Sequence, residues 1–458
     1  MAKCNKIFVV NRMRLFLIVS LAFAMSIVFI GCSAHVEPLR KYERLSCTPN
    51  PIKIIYDVDK DKTSETLSLN DAMSVCMKKN HALQIARQDI AIAEGQIRQA
   101  KSFSNPEIEF GISTSSAANS VLNITGSLLQ PISLFLPKRR VAIEVAEASL
   151  DRAKAEIRRF EWELTVEVKR TYFQTLLLQN EKILFEQSME DSKTLLTATR
   201  RLKKGGEVSR ISELLIQADL IEAKARLIEI ESLLTKKRSE LTMLIGENPL
   251  PILIDGRLEF PESVDLEHVK FEQIYATNNP ELYLRDAEVR LSKLEQVSVS
   301  NAWWPGAKVG VQAERDAGGD RLFGGLFSMD LPIFNRNQGE IQSRNALFSK
   351  AQMERTRTDF IGRLALNRLT ILLNQALRLI SLYRNEGLPS AEENTMLVRK
   401  AIEAGETTTL ELIAANQRAI SAKLAYLRAR FSGVDILLDL EAVLGTQVFD
   451  LEMGHVAP

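Results

Sequence analysis

Residues 138–204 make a run of 67 positions without a single glycine or proline. The run is rich in Ala, Glu, Arg, Leu and Lys, and as one helix it would extend about 100 Å at 1.5 Å per residue. No ordinary globular domain buries a helix of that length, so it must lie lengthwise against partners, in a coiled coil or a helical barrel. The segment "KKGGEVSR" ends it at Gly205 and Gly206. The next helix carries Leu214, Ala218, Ile221, Ala225 and Ile228 at 4-3-4-3 spacing, which predicts the seam of antiparallel or bundled helices.

The same punctuation recurs. Asn80 and Asn279, Pro106 and Pro305, Gly206 and Gly405, and Gly246 and Gly445 are each 199 positions apart. The seam returns as Ile420, Leu424 and Leu427 and runs on through Phe431, Val434 and Leu438. Four helix breakers at one offset predict an internal duplication. The expected copies span 67–260 and 261–446, each running helix, two strands, long helix, helix, with a tail at 447–458. The opening helix starts at Ser68 or Asn70 and is expected to reach about Phe103. Only 21 Gly and 14 Pro fit this helical plan, and a net charge of +1 gives no bias toward nucleic acid.

Two short regions, about 105–131 and 305–332, break the helical pattern. In "EIEFGIS", Ile108, Phe110 and Ile112 alternate with Glu107, Glu109 and Ser113; in "NSVLNITGSLL", Leu122, Ile124 and Leu128 alternate with Asn123, Thr125 and Ser127. The second region repeats this, with Ala307, Val309, Val311 and Ala313 against Lys308, Gly310, Gln312 and Glu314, then Phe323, Phe327, Met329 and Leu331 against Gly324, Ser328 and Asp330, Leu326 being the exception. Such strands have the length and two-sided chemistry of tilted outer-membrane strands, apolar toward lipid and polar toward a lumen. A soluble β-sandwich is the alternative, but no helix-free β-domain of ordinary size is present to hold them. Four strands cannot close a barrel, so other copies must complete it: two would fill the interior with side chains, and three would leave room for a channel.

The N-terminus orders Lys3, Lys6, Arg12 and Arg14 before an apolar run at 15–30 and Gly31-Cys32, the pattern of a secretory signal. A cysteine after "FIG" resembles the lipobox of bacterial lipoproteins. Residues 1–31 are then a signal peptide, Cys32 the lipidated first residue, Ser33 a sign of transfer to the outer membrane, and 32–66 a tether; an uncleaved anchor is the alternative. Cys47 and Cys76 would be the remaining thiols. The histidines His35, His81, His268 and His455 are scattered, so no metal site, cofactor or catalytic residue is expected.

"LSLNDAMSVCMKKNHALQIARQDIAIAEGQIRQAKSFSNPEIEFG", "FSMDLPIFNRNQGEIQSRNA" and "AIEAGETTTLELIAANQ" resemble TolC-type outer-membrane efflux proteins over about 67–445. "LPIFNRNQGEI" and the lipobox are most similar to the heavy-metal cation efflux subgroup of the lipoprotein branch. The implied fold is mainly α with a small β membrane part: long antiparallel helices forming an α-helical barrel, and four transmembrane β-strands per chain making a 12-stranded barrel in a homotrimer. The implied role is a non-enzymatic exit duct in the bacterial outer membrane, extending into the periplasm. It would pass divalent heavy-metal cations from an inner-membrane efflux pump and a periplasmic adaptor (membrane fusion protein) to the outside. Drug efflux or type I secretion through the same duct is one alternative. A pore-less periplasmic coiled-coil adaptor is another, although an adaptor would carry one hairpin flanked by soluble β-domains.

The resemblance also assigns sites. Gly205, Gly206, Val208, Ser209, Gly405, Thr407 and Thr408 lie at the periplasmic tips, where adaptor and pump engage; plain turn and capping chemistry would select the same residues. Glu411 is the candidate gate, one carboxylate per chain, with Ala414 where some relatives carry a second acid. Glu107, Glu109, Lys308 and Glu314 are expected to line the pore. Pro131, Pro137, Pro332, Asn335 and Arg336 mark the strand-to-helix joints, with Asn335 or Asn337 capping the descending helix.

Overall fold

The computed structural model describes residues 66–458 except 115–121, 133–136, 206–207, 247–252, 255–270, 301–306, 316–319, 330–332, 405, 448, 451–454 and 457–458. Cys32, Cys47, Gly206, Gly405, Pro332 and the side chain of Pro137 lie outside the described residues, as do the expected signal peptide and nearly all of the tether.

The opening helix is not continuous to Phe103. Ser68 caps α1 (Leu69–Lys79) by accepting from the Asp71 amide at 3.1 Å, and the chain breaks at Asn80 before α2 (His81–Lys101). Asn80 explains the break. Its Oδ1 accepts from the Leu83 amide at 2.9 Å, capping α2, while its Nδ2 donates to the Leu244 carbonyl at 2.8 Å in the last turn of α4 (Arg210–Ile245). One residue thus ends one helix through its amide, which donates to the Cys76 carbonyl, and through its side chain starts another and clamps a third.

A matching arrangement stands 199 residues on. Between α5 (Phe271–Asn278) and α6 (Pro280–Ser300), Asn279 accepts from the Leu282 amide at 2.7 Å and donates to the Val443 carbonyl at 2.6 Å, in the last turn of α9 (Thr409–Leu444). Both clamped helices end in left-handed glycines, Gly246 at φ 76° and Gly445 at φ 74°. A Cβ on Gly246 would lie 2.6 Å from the Lys79 carbonyl oxygen, and one on Gly445 would strike the Asn278 carbonyl and the Pro280 ring. The recurring Asn and Gly are therefore two halves of one joint, and glycine is needed there for both conformation and space.

The glycine-free run folds as α3 (Pro137–Lys204), 68 residues without interruption. Its counterpart is divided into α7 (Gln338–Leu382), a π-helical turn at Tyr383–Gly387 and α8 (Leu388–Glu403). Pro389 supplies the cause: it has no amide hydrogen and its ring crowds the carbonyl four residues back, and a turn holding one extra residue relieves both. Helix α3 is the spine, packing against α2, α4, α6 and α9, while α7 lies on α6 and α9. The main core forms where these helices cross near the two Asn joints, with Cys76, Leu83, Val168, Leu373, Leu438 and Leu444 fully buried. Burial pushes the Cys76 thiol up to about 11, and its Sγ donates to the Leu244 carbonyl at 3.1 Å.

Four strands, β2 (Glu107–Thr114), β3 (Leu122–Pro131), β5 (Ala307–Arg315) and β6 (Arg321–Met329), form one antiparallel sheet in the order β2-β3-β5-β6. A two-residue parallel pair, β1 (Thr66–Leu67) with β4 (Leu253–Ile254), lies apart from it.

The predicted seam on α4 is corrected. Leu214, Ile221 and Ile228 face outward, whereas Glu213, Ile216, Leu220, Ala223, Ile230 and Leu234 are buried. Both stripes repeat every three or four residues, so α4 is apolar on two sides and periodicity alone could not say which side faces α3.

Candidate functional site

The sheet register assembles one continuous apolar face from four separate strands. Ile108 pairs with Leu128, Phe110 with Gly126 and Ile112 with Ile124; Leu128 and Gly126 pair in turn with Val311 and Ala313, and these with Gly325 and Phe323. Phe110 is 82% exposed and Phe323 81%. Leaving Ile108, Phe110, Ile112, Val311, Phe323 and Phe327 in water would forgo on the order of 10 kcal/mol of apolar transfer, at about 1.5–3 kcal/mol per side chain. Such a face demands an apolar surrounding. Arg315 and Arg321 pair with each other at one end of this face, where their long side chains can reach a polar head-group layer.

The opposite face is polar. Lys308 Nζ reaches across β3 to Glu107 Oε2 at 2.5 Å, and Ser127 Oγ lies 3.5 Å from Glu109 Oε2. Glu314 stands on this face too, so the sheet brings the four expected pore-lining residues onto one side. Gly310 lets β5 close on β3, since a Cβ there would run into the Leu128 backbone. Among the described residues, the outer strands β2 and β6 have no partner beyond them in the sheet order.

At the first strand-to-helix joint, Pro131 ends β3 while the Ile132 amide still donates to the Ala307 carbonyl at 2.8 Å. Arg139 then donates to the Lys101 carbonyl at 2.7 Å and covers the Phe103 ring at 4.9 Å, tying the start of α3 to the end of α2. At the second joint the expected cap is corrected. Asn337 occupies the cap position in a left-handed conformation, φ 59°, but makes no side-chain cap bond. Asn335 Oδ1 instead accepts from the Asn337 amide at 2.9 Å, and Gln338 Oε1 accepts from the Arg336 amide at 3.1 Å. With Asn337 left-handed and making no side-chain bond to the first amides of α7, a local turn network stands in place of the cap.

The two helical tips differ. In the first, Ser209 caps α4 by accepting from the Ser212 amide at 3.2 Å, and Gly205 donates to the Leu202 carbonyl at 3.1 Å. Val208 is half-buried. Behind this turn sits a carboxylate that sequence reasoning missed. Glu213 is buried and receives Lys203 Nζ at 2.6 Å, Arg200 Nε at 3.2 Å and Arg210. The hydrogen bond from Lys203, then that from Arg210, holds its carboxyl down at about 2. In the second tip Thr408 precedes α9 without a side-chain cap bond, and Thr407 Oγ1 donates to Glu411. The Glu411 carboxylate is exposed and engaged by its own turn.

Helix α9 is fastened to α3 by charge. Lys169 Nζ meets Glu441 Oε2 at 2.9 Å with both side chains almost wholly buried, and Trp162 Nε1 donates to the Glu441 carbonyl at 3.2 Å. Arg170 lies 2.5 Å from Asp439 and 3.1 Å from Asp435, whose carboxyl burial pushes up, and Arg428 lies 2.7 Å from Glu181. Near the tips, Asp219 joins the two hairpins by accepting from Gln417 at 2.8 Å and from Ser192 at 2.6 Å. The visible signal for these residues was a charge standing in an otherwise apolar stripe, as Glu441 does beside Leu437, Leu438 and Leu444.

Among the described residues, no group of three or more His, Cys, Asp or Glu side chains could hold a metal ion, and no helix is long and apolar enough to cross a membrane.

Comparison with known proteins follows this geometry. Residues 73–247 match the family described as outer membrane efflux protein. The cobalt-zinc-cadmium resistance protein CzcC of Cupriavidus metallidurans is 25% identical over 391 residues, which cover 83% of this chain and 90% of CzcC. Among solved structures, CusC superposes with a TM-score of 0.70 at 14% identity, over 82% of this chain and 92% of that one. The open-state MtrE outer membrane channel of Neisseria gonorrhoeae superposes at 0.68 and 16% identity, over 83% and 89%. The match to the outer membrane efflux protein family over residues 73–247, the likeness to CzcC and the shared fold of the solved channels agree with one another: the chain is similar to the TolC-type outer-membrane efflux proteins and has their fold.

Proposed function

We propose that the protein is the outer-membrane exit duct of a tripartite efflux system for divalent heavy-metal cations. The observation that carries this is the sheet: one unbroken apolar face, one polar face with a Glu107–Lys308 pair and, among the described residues, two strand edges without a partner. Edges of that kind are not tolerated in lipid, so a second and third copy complete them, and three four-stranded sheets close a twelve-stranded barrel wide enough for an aqueous path. The outward stripe of α4, Leu214, Ile221 and Ile228, is then covered by a neighbouring copy, as is the exposed Met353, Phe360 and Leu364 stripe of α7. The joints that recur at the 199-residue offset support an origin by duplication of one helix-strand-strand-helix-helix unit.

In this reading Cys32 carries lipid, residues 32–66 tether the chain to the outer membrane, and the tips meet a periplasmic adaptor and an inner-membrane pump. Gly205, Gly206, Val208, Ser209, Gly405, Thr407 and Thr408 are the contact residues, and Glu411 is the gate position. The duct itself does no chemistry; it replaces lipid with a wet path, and the pump supplies the driving force. Heavy metal as cargo rests on the likeness to CzcC.

Deleting the gene and challenging cells with divalent metals, dyes and antibiotics tests the cargo. Sensitivity to metals is the expected outcome, and sensitivity confined to organic compounds overturns it. Gly405→Trp should abolish efflux while trimers remain in the outer membrane; normal efflux in that variant removes the tip from docking.

A further inference from the structure

We propose that the first helical tip is an electropositive docking surface for an acidic protein segment, and that the second tip is not its equivalent. This rests on the exit-duct reading and names the chemistry of the partner that one tip receives. Across 200–213 the chain carries five cations, Arg200, Arg201, Lys203, Lys204 and Arg210, against two carboxylates. The corresponding span, 399–412, carries two cations, Arg399 and Lys400, against the carboxylates of Glu403, Glu406 and Glu411.

Helix C-termini favour cations, but that explains only the pair both tips share, Arg200 and Arg201 with Arg399 and Lys400. Where the first tip has Lys203, Lys204 and Arg210, the second has Ile402, Glu403 and Thr409. The second hairpin turns at the same offset without those cations, so closing a hairpin does not require them. Glu213, for its part, gathers Arg200, Lys203 and Arg210 into a fixed array while balancing only one of their three charges. Arg201 and Lys204 stand exposed beside this array. A pre-ordered set of guanidinium and ammonium groups loses little freedom on meeting carboxylates, which favours tight charge-assisted pairing.

The occupant is a protein segment. The tip lies at the far end of the 68-residue α3 from the strands, about 100 Å along the helix and well away from the outer membrane. Leu202 and Ile211 are exposed among the cations, offering apolar contact that a carboxylate-bearing helix end covers and a phosphate head group does not.

The test uses the full-length protein in nanodiscs with three probes: a synthetic helical hairpin bearing glutamates at its turn, the same hairpin bearing lysines, and phosphatidylglycerol vesicles. The glutamate hairpin should bind at least about tenfold more tightly than the lysine hairpin at low salt, with the preference shrinking at high salt. Arg201→Glu/Lys204→Glu should remove that preference, and Glu406→Lys should leave it in place. Equal binding of the two hairpins, equal sensitivity of the two tips, or capture by the vesicles but not by the glutamate hairpin overturns the proposal. Single-channel conductance of the same wild-type preparation separates the two readings. A conducting channel whose docking ignores tip charge overturns this inference alone, and a protein that neither conducts nor fractionates with the outer membrane overturns the duct.

Discussion

The first half of the chain sends α3 to its tip in one uninterrupted 68-residue helix; the second half makes the same journey with a π turn at Tyr383–Gly387. At the other end of the hairpins the halves agree closely, Asn80 and Gly246 forming the same joint as Asn279 and Gly445. The halves are thus alike at these joints, which each half makes within itself, and unlike at their tips. Packing fixes the joint, because an Asn bonded to two backbone groups and a glycine pressed on a neighbouring carbonyl leave no room to drift.

The largest expected effect lies on a contact that belongs to one side only. Lys169→Met should cost about 3–5 kcal/mol, because the buried Glu441 carboxylate loses the ammonium that lies 2.9 Å from it. Adding Glu441→Met should recover most of the loss in denaturant unfolding. At the offset positions stand Thr242 and the exposed Arg368, so Arg368→Met should change stability by no more than about 0.5 kcal/mol. A large effect there would reveal a hidden counterpart and weaken the contrast.

The joints should behave as equals. Gly246→Ala and Gly445→Ala should each cost about 2–3 kcal/mol, from left-handed strain and collision with a carbonyl. Thermal or denaturant unfolding that finds one costly and the other neutral would break the equivalence. A smaller effect is expected at the π turn. Pro389→Ala restores an amide hydrogen and should stabilise α8 by about 1 kcal/mol, with the turn reverting to ordinary helix in hydrogen exchange or a new structure.

The smallest effect is local and depends on pH. The Glu213 carboxyl is held near 2, below its ordinary 4.5, so its contribution is fully present above pH 4.5 and disappears as pH falls through about 2. Hydrogen exchange at 200–213 should quicken over that window, the 399–412 tip should show no matching change, and Glu213→Gln should abolish the dependence. Identical acid profiles at both tips would remove the electrostatic distinction between them.

Much of this was legible in the residues. A run without glycine or proline announces a long helix, alternation in "EIEFGIS" announces a two-faced strand, and the 199-residue spacing announces two similar halves. The break at Asn80 was not legible as a joint, because the residue works through Leu244, 164 positions away. The inner face of α4 was misread since Leu214-Ile221-Ile228 and Ile216-Ala223-Ile230 keep the same period and only the position of α3 chooses between them. Glu213 and Lys169 hid for a related reason. Charged residues in a heptad look like solvated ones until the opposing helix supplies their partners. The grouping of strand residues onto two sides was legible because a period of two leaves a single alternative.

The π turn also acts as a vernier. The 199-residue offset holds on both sides of it, so the extra residue in that turn is not an insertion in the chain. It is taken from the helix itself, which reaches its tip about one residue's rise short, about 1.5 Å, and about 100° out of phase with an unbroken helix. Two hairpins counted out in equal numbers of residues therefore present different azimuths at their ends. In a closed ring built from such chains, successive tips would alternate in orientation as well as in charge, so anything that binds the ring meets two kinds of tip in turn.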